Sequence, residues 1–418
     1  MPLTRKGSRN IRANSTDYPR FLMHKLLNRD VIAPVLALII FQGLTTMGMH
    51  AFSNAPAEVA RGYEMPVSFT GIYTAIVYFT ALTFGLLVSG PFGRYGAMRS
   101  CQIALIFGAT SMAIFTLATP WAFLLSAILL GMAHGPMNPA GSHVIMRVGP
   151  LEWRPFLFSL KQISVPVGGA LAGFLVPTLV LTTGWQMAML LIGGAIFLAA
   201  IVAQPFRSQA DEDRDPTYPL RPNDIMEPIR LVFEKGPIRA ISIAAFMLIG
   251  CQACIVAFLV IYLVQDIGLE LQWAGLIFGL AHGTSILARV YLGVLADRVI
   301  LTKLILGYSG IVTGICFLIL ALFPAGGSYW LLCILGIILG NANLGWVGLY
   351  FSEVSKLAPE GKAAAATAGS QIYAFGSFVI IPPLFTLYVE LIGSYATGLA
   401  IIGALGLAAG FRFLSIKY

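Results

Sequence analysis

Residues 272–298 read QWAGLIFGLAHGTSILARVYLGVLADR. The stretch is apolar enough to cross a bilayer, yet Arg289 stands inside it, eight residues before Asp297. Eight helical residues rise about 12 Å, so the guanidinium is rooted well below a membrane surface. A charge at that depth is costly unless it faces protein, water or a ligand. His282 and Ser285 share its helical face at i, i+3, i+7. The chain is therefore expected to hold a polar, positively charged region in mid-membrane.

Composition agrees. The 418 residues are 58% hydrophobic and 11% charged, with a mean hydropathy of +0.83. A soluble chain of this length could not hide so much apolar surface. The charges cluster and leave twelve apolar runs near the ~20 residues that a bilayer requires. They cover 31–53, 68–92, 99–118, 120–146, 155–181, 185–205, 238–264, 271–296, 301–323, 328–353, 363–388 and 394–414. Numbered spans 1 to 12 in that order, they predict an all-α membrane protein with twelve transmembrane helices.

The net charge of +8 is distributed in a way that excludes a nucleic-acid partner. Arg5, Lys6, Arg9, Arg12, Arg20, Lys25 and Arg29 precede span 1. Arg94, Arg99, Arg147, Arg154, the loop from Arg207 to Arg239, Arg298, Lys303, Lys356, Lys362, Arg412 and Lys417 fall in every second connection or at the end. The alternate connections hold only Arg61. This is the positive-inside pattern of a multi-pass inner-membrane protein with both termini in the cytoplasm and the lipid bilayer as its partner. No cleavable signal peptide is expected, because the first apolar run is long and lacks a small-residue cleavage site. The five cysteines all lie in predicted spans. Cys251 and Cys254 match a redox spacing, but packing by small residues is the expected role.

Residue classes recur at offsets of 204 to 210: Gln42 with Gln252, Gly71 with Gly275, Arg154 with Lys362, Pro177 with Pro382 or Pro383, Gly184 with Gly393. This suggests two homologous six-span halves. The expected organisation is a cytoplasmic tail at 1–30, a first bundle at 31–206, a cytoplasmic linker at 207–237 and a second bundle at 238–418. Within the linker, 225–234 reads as an amphipathic helix on the membrane face. Polar stripes mark particular spans: Gln42, Thr46 and His50 in span 1; His134, Asn138 and Ser142 in span 4; Lys161 and Ser164 in span 5; Asn343, Trp346 and Tyr350 in span 10; Thr367, Ser370 and Gln371 in span 11. Any one such residue can glue helices together. Together the stripes predict a shared cavity, with spans 3, 6, 9 and 12 toward lipid.

At Gly293-Val-Leu-Ala-Asp297-Arg298 the chain closely resembles the signature of the major facilitator superfamily, Gly-x-Leu-Ala-Asp-Arg, between spans 8 and 9. With twelve spans in two halves, the likeness covers essentially the whole chain. It implies two pseudo-symmetric six-helix bundles and a cytoplasmic gate. In that gate Asp297 would complement the start of span 11 near Lys362, and Arg298 would pair with Glu353. The first-half turn reads Ser89-Gly-Pro-Phe-Gly93-Arg94-Tyr-Gly96. Arg94 keeps the basic position, but Gly93 replaces the Asp, so a lopsided gate is expected. Ala127 stands where the span-4 motif has Arg, and the span-5 antiporter mark survives only as Val165-Pro166-Val167-Gly168-Gly169. There Gly168/Ala172 and Gly169/Gly173 read as small-xxx-small packing.

Arg289 also resembles the span-8 arginine that holds a carboxylate in monocarboxylate and oxalate–formate transporters, although the usual preceding Gly is Ala288. The competing reading is an arginine bonded to protein carbonyls. Lys161, seven residues beyond Arg154, either reaches solute or snorkels to the surface. No Asp or Glu lies in the middle of a span: Asp30, Asp266, Glu353 and Glu390 are near ends. A basic cavity without fixed negative charge favours an anion, and arginine's fork suits a carboxylate. The expected substrate site is Arg289, helped by Lys161 and lined by His134, Asn138, Gln42, Gln252, His282, Asn343 and Tyr350. His134 and His282 are candidates for a coupling proton; anion exchange stays open. The alternative is proton-driven efflux of amphiphilic drugs or metabolites, for which Tyr78, Trp346, Tyr350 and Tyr373 would serve. No metal-ligand spacing, Gly-x-Ser-x-Gly or Walker A loop is present. No metal, cofactor or enzymatic activity is therefore expected.

Overall fold

A computed structural model describes residues 29–88, 92–212, 214–215, 217, 226–234, 236–360 and 362–416. The tail at 1–28 and the side chains of Asp297 and Arg298, expected to gate, lie outside the described residues. The described residues form helices and connecting turns with no strand. Twelve helices are long and apolar enough to cross a membrane: Val31–Asn54, Val67–Leu87, Ala97–Phe115, Pro120–Val148, Phe156–Thr183, Trp185–Val202, Pro237–Gln265, Leu271–Ala296, Thr302–Ala321, Tyr329–Leu357, Ala365–Ile392 and Tyr395–Ser415. They match the twelve expected spans within a few residues and form two six-helix bundles. Both described ends lie on one face, here the terminal face; the other is the opposite face.

Local chemistry sets where the spans start and break. Pro120 and Pro237 open spans 4 and 7, where a missing N–H is harmless. Gly184 and Gly393, paired by the repeat, both take positive φ (84° and 76°) in the turns after spans 5 and 11. Spans 4 and 10 are both interrupted midway, at Gly135-Pro136 and through a π-helical turn Gly340–Leu344. Span 5 also breaks, with one helix ending at Gln162 and the next starting at Ser164. Such breaks release backbone carbonyls from the helical ladder.

Small residues bring helices to backbone contact. A Cβ on Gly310 or Gly314 in span 9 would lie 2.6 Å from span-12 backbone at Gly410 or Gly403. On their outer sides these spans expose Ile315 and Phe411, as lipid-facing helices should.

The two halves meet from the opposite face inward. Thr386 Oγ1 of span 11 donates to the Ser68 carbonyl of span 2 at 2.8 Å, and Ser68 Oγ donates to Glu390. Gly173 of span 5 rests on the backbone of Gly275 and Gly279 of span 8. Deeper, Tyr78 of span 2 stacks on Phe378 of span 11 at 3.9 Å. The protein is closed at this face.

The linker has two anchored parts. Met226–Phe233 is helical, as expected, but it packs on span 11: Phe233 and Tyr373 rings lie 5.3 Å apart and Val232 is fully buried. At the other end Asp211 accepts the backbone N–H groups of Met98 at 2.8 Å and Arg99 at 2.9 Å, in the first turn of span 3. Arg147, at the end of span 4, donates to the Ala210 carbonyl at 2.8 Å and pairs with Glu212 at 2.9 Å. Gly96, at φ +93°, leaves the space that Asp211 fills. A carboxylate at a helix N-terminus satisfies orphan donors and complements the dipole. Asp211→Ala is therefore expected to cost about 1–2 kcal/mol, read as a lowered unfolding midpoint of the purified protein. Asp211→Asn, which keeps an acceptor, should cost less.

Candidate functional site

The interrupted middles of spans 4 and 5 put polar side chains at one depth. The Asn138 amide oxygen accepts from Gln42 Nε2 of span 1 at 3.2 Å and from Lys161 Nζ of span 5. Ser164 Oγ donates to Gln42 Oε1 at 2.9 Å. The Lys161 stem runs over Gly141, where a Cβ would lie 2.7 Å from Lys161 Cε. Lys161 is only 2% exposed. Its ammonium turns inward to Asn138, so the snorkelling alternative does not describe it.

Span 8 brings the second cation from the other half. Arg289 Nη1 donates to the Gln162 carbonyl at 2.7 Å, and Nη2 to the Leu344 carbonyl at 3.4 Å. Both acceptors stand at helix breaks, one in each half. Of the two readings open for Arg289, the structure shows the one bonded to protein carbonyls: a buried fork takes the acceptors that broken helices offer. These bonds do not neutralise it. Neither Arg289 nor Lys161 has a carboxylate partner among the described residues, and Arg289 Nε is buried without an acceptor.

Histidines join the two cations. His134 is 5% exposed and interacts electrostatically with Lys161. His282 lies within electrostatic reach of Arg289 and His50. The His282 ring fills the space over Gly169, where a Cβ would collide with the imidazole. The Gly169 position in the span-5 motif is therefore a socket for a side chain of the other half.

Asn343 and Tyr350 separate from this cluster. Asn343 Nδ2 donates to the Leu248 carbonyl of span 7 at 3.1 Å, and Tyr350 OH donates to Ser242 Oγ at 2.9 Å. Both are fully buried inside the second bundle, where they tie span 10 to span 7. Gln252 is buried on span 7. Of the expected gate, Gly293 has open space around it, Glu353 lies 3.9 Å from Lys356, and Arg94 is exposed over the Tyr95 ring. The structure thus gathers Gln42, His134, Asn138, Lys161, His282 and Arg289. It adds His50, Ser164 and Gly169, which the sequence signalled only as a stripe in span 1, a polar neighbour of Lys161 and a pair of glycines.

Comparison with known proteins follows the same line. The family model described as Major Facilitator Superfamily matches residues 35–411. The hexuronate transporter of Bacillus subtilis (strain 168) is 20% identical over 357 residues, covering 77% of this chain and 84% of the relative. A POT family transporter in complex with 5-aminolevulinic acid superposes with a TM-score of 0.75 at 13% identity, covering 91% of this chain and 95% of that one. A mutant of the nucleoside transporter NupG gives 0.73 at 14% identity, covering 91% and 99%. At these identities the solved structures speak to the fold alone.

Proposed function

The chain belongs to the Major Facilitator Superfamily, and from that premise we propose that this secondary transporter moves a small organic anion, a carboxylate, by proton symport or anion exchange. Alternating access is the family's mode of transport. The terminal face, which carries the basic connections, would be cytoplasmic, and the membrane an inner membrane. The segment 207–237 would link the rocking bundles 31–206 and 238–418.

One observation carries the substrate class: Lys161 and Arg289 are buried within the spanning helices with no carboxylate against them among the described residues. A carboxylate solute would supply the missing charge, and the guanidinium fork offers it paired donors. The Arg289–Gln162 bond joins the two halves, so it cannot outlast a motion that parts spans 5 and 8 at that depth. The guanidinium would then exchange a protein carbonyl for solute. The Bacillus subtilis relative is named for hexuronate, a sugar carboxylate, which accords with this reading. The efflux alternative draws no such support: Tyr78 is stacked on Phe378, Tyr373 lies against Phe233, and Trp346 and Tyr350 are buried together.

A thermal-shift series tests the reading on purified protein. D-glucuronate, lactate and succinate are set against tetraphenylphosphonium and ethidium. At least one carboxylate should stabilise the protein, by about 2.7 kcal/mol at about 100 times its Kd. Stabilisation by the cations alone would overturn the anion reading.

A further inference from the structure

We propose that His50 and His282, one from each half, together hold the proton that travels with the anion; this deepens the anion reading and rests on it for the cargo. His50 lies near the end of span 1, and His282 lies near the middle of span 8. Their rings meet edge to face at 5.3 Å, beside Phe278. They are 1% and 2% exposed. His50 Nδ1, His50 Nε2 and His282 Nε2 are all buried without a hydrogen-bond partner among the described residues. A histidine that serves only to glue helices would spend its nitrogens on a neighbour, and buried polar atoms left unpaired call for an explanation. A metal does not supply one: no cluster of three metal-ligand side chains occurs among the described residues.

The place matters as much as the atoms. The pair sits just inside the contact of Gly173 with Gly275 and Gly279 that seals the opposite face, and His282 occupies the socket of Gly169. His134 of span 4 and Arg289 of span 8 act on the rings electrostatically, and Lys161 of span 5 stands behind His134. Spans 2, 7 and 10 carry no Asp, Glu, His, Lys or Arg through 67–88, 240–265 and 329–352. Among the described residues, the charged groups acting on the pair are basic, and no carboxylate is among them.

That arrangement ties protonation to motion. In the closed, unliganded protein two neutral imidazoles pack like apolar rings. A proton on either adds a charge among like charges in a buried seam. Two events relieve it: water entering as spans 1, 5 and 8 part, or a solute carboxylate lying against the imidazolium. The cycle then balances. With the opposite face open, an imidazole nitrogen takes a proton from water. A carboxylate binds to the imidazolium and to Arg289, and the neutralised seam closes. On the terminal side the anion leaves and the ring returns its proton to water. One proton crosses with each monocarboxylate, and no net charge moves.

The test needs no substrate. Arg61→Cys and Leu391→Cys place spin labels on exposed positions of the two halves at the opposite face, while the five native cysteines are buried. Distances are measured in nanodiscs, without solute, at about pH 8 and about pH 5, on either side of the ordinary histidine range. The long-distance population should grow several-fold on acidification. His50→Gln with His282→Gln, which keeps polarity without titration, should abolish that growth, and His143→Gln, on span 4 outside the cluster, should leave it. The proposal is overturned if the parent shows the same distances at both pH values, if the double variant still responds, or if His143→Gln alone removes the response. A failed carboxylate screen would leave this measurement untouched, so the two readings fail separately.

Discussion

Arg289→Gln should reduce carboxylate uptake into proteoliposomes by about two orders of magnitude, equivalent to about 2.8 kcal/mol at 1.4 kcal/mol per tenfold. The choice of glutamine separates two roles that the structure superimposes. Arg289 donates to the carbonyls of Gln162 and Leu344. If that were its whole contribution, a neutral donor would preserve much of it. If its charge receives the anion, glutamine removes the attraction and leaves a polar amide in place. Loss of a charge-assisted partner costs more than a neutral bond. Arg289→Lys should recover only part of the rate, because a point charge cannot reproduce the planar fork. The unfolding midpoint of each variant, read alongside uptake, reports the structural share. Wild-type uptake by Arg289→Gln would remove the guanidinium from the binding machinery.

The depth of Arg289 was legible because one charge in an apolar helix has a position fixed by counting residues. Its partners were not. Both are carbonyls released by helix breaks, near Ile163 and at Gly340–Leu344, and a π-helical turn leaves no clear mark in a stretch such as Gly-Asn-Ala-Asn-Leu. The twelve spans followed from apolar length and the alternation of basic connections. The stripe of Asn343 and Tyr350 was visible, but its direction was not. Periodicity says which residues share a face, while only packing says what the face meets, and here it meets span 7. The capping role of Asp211 was hidden in the sequence for a related reason. Asp211-Glu-Asp-Arg-Asp215 has the composition of a solvated linker, yet the first carboxylate is buried as the cap of span 3. A cap that reaches 113 residues back along the chain carries none of the local signature of a capping box.

Gly173→Leu should abolish turnover while leaving anion binding intact. A Cβ at Gly173 would lie 2.6 Å from the Gly275 carbonyl oxygen and 2.7 Å from Gly279 Cα. Both obstacles are backbone, so neither can swing aside as a flexible side chain would. Gly275 is equally tight in return, 2.6 Å from the Gly173 carbonyl oxygen, while Gly279 meets the Phe174 ring. Spans 5 and 8 can therefore seal the opposite face only with hydrogen at Gly173 and Gly275. Overpacking typically costs about 1–3 kcal/mol, and leucine adds four carbons where none fits. The penalty falls only on the closed seam. It should thus approach the ~5.5 kcal/mol that converts a 99:1 preference into its reverse, leaving the protein open at the opposite face. Gly173→Ala, with one carbon to place, should shift the balance by about 10- to 100-fold and slow uptake without ending it. In Gly173→Leu the carboxylate that stabilises the parent should still raise the unfolding midpoint, and labels at positions 61 and 391 should report the long distance at either pH. Arg289→Gln should behave in the opposite way, losing the thermal response to carboxylate while its halves still meet. Parent-like uptake by Gly173→Leu would show that transport does not require this seam to close.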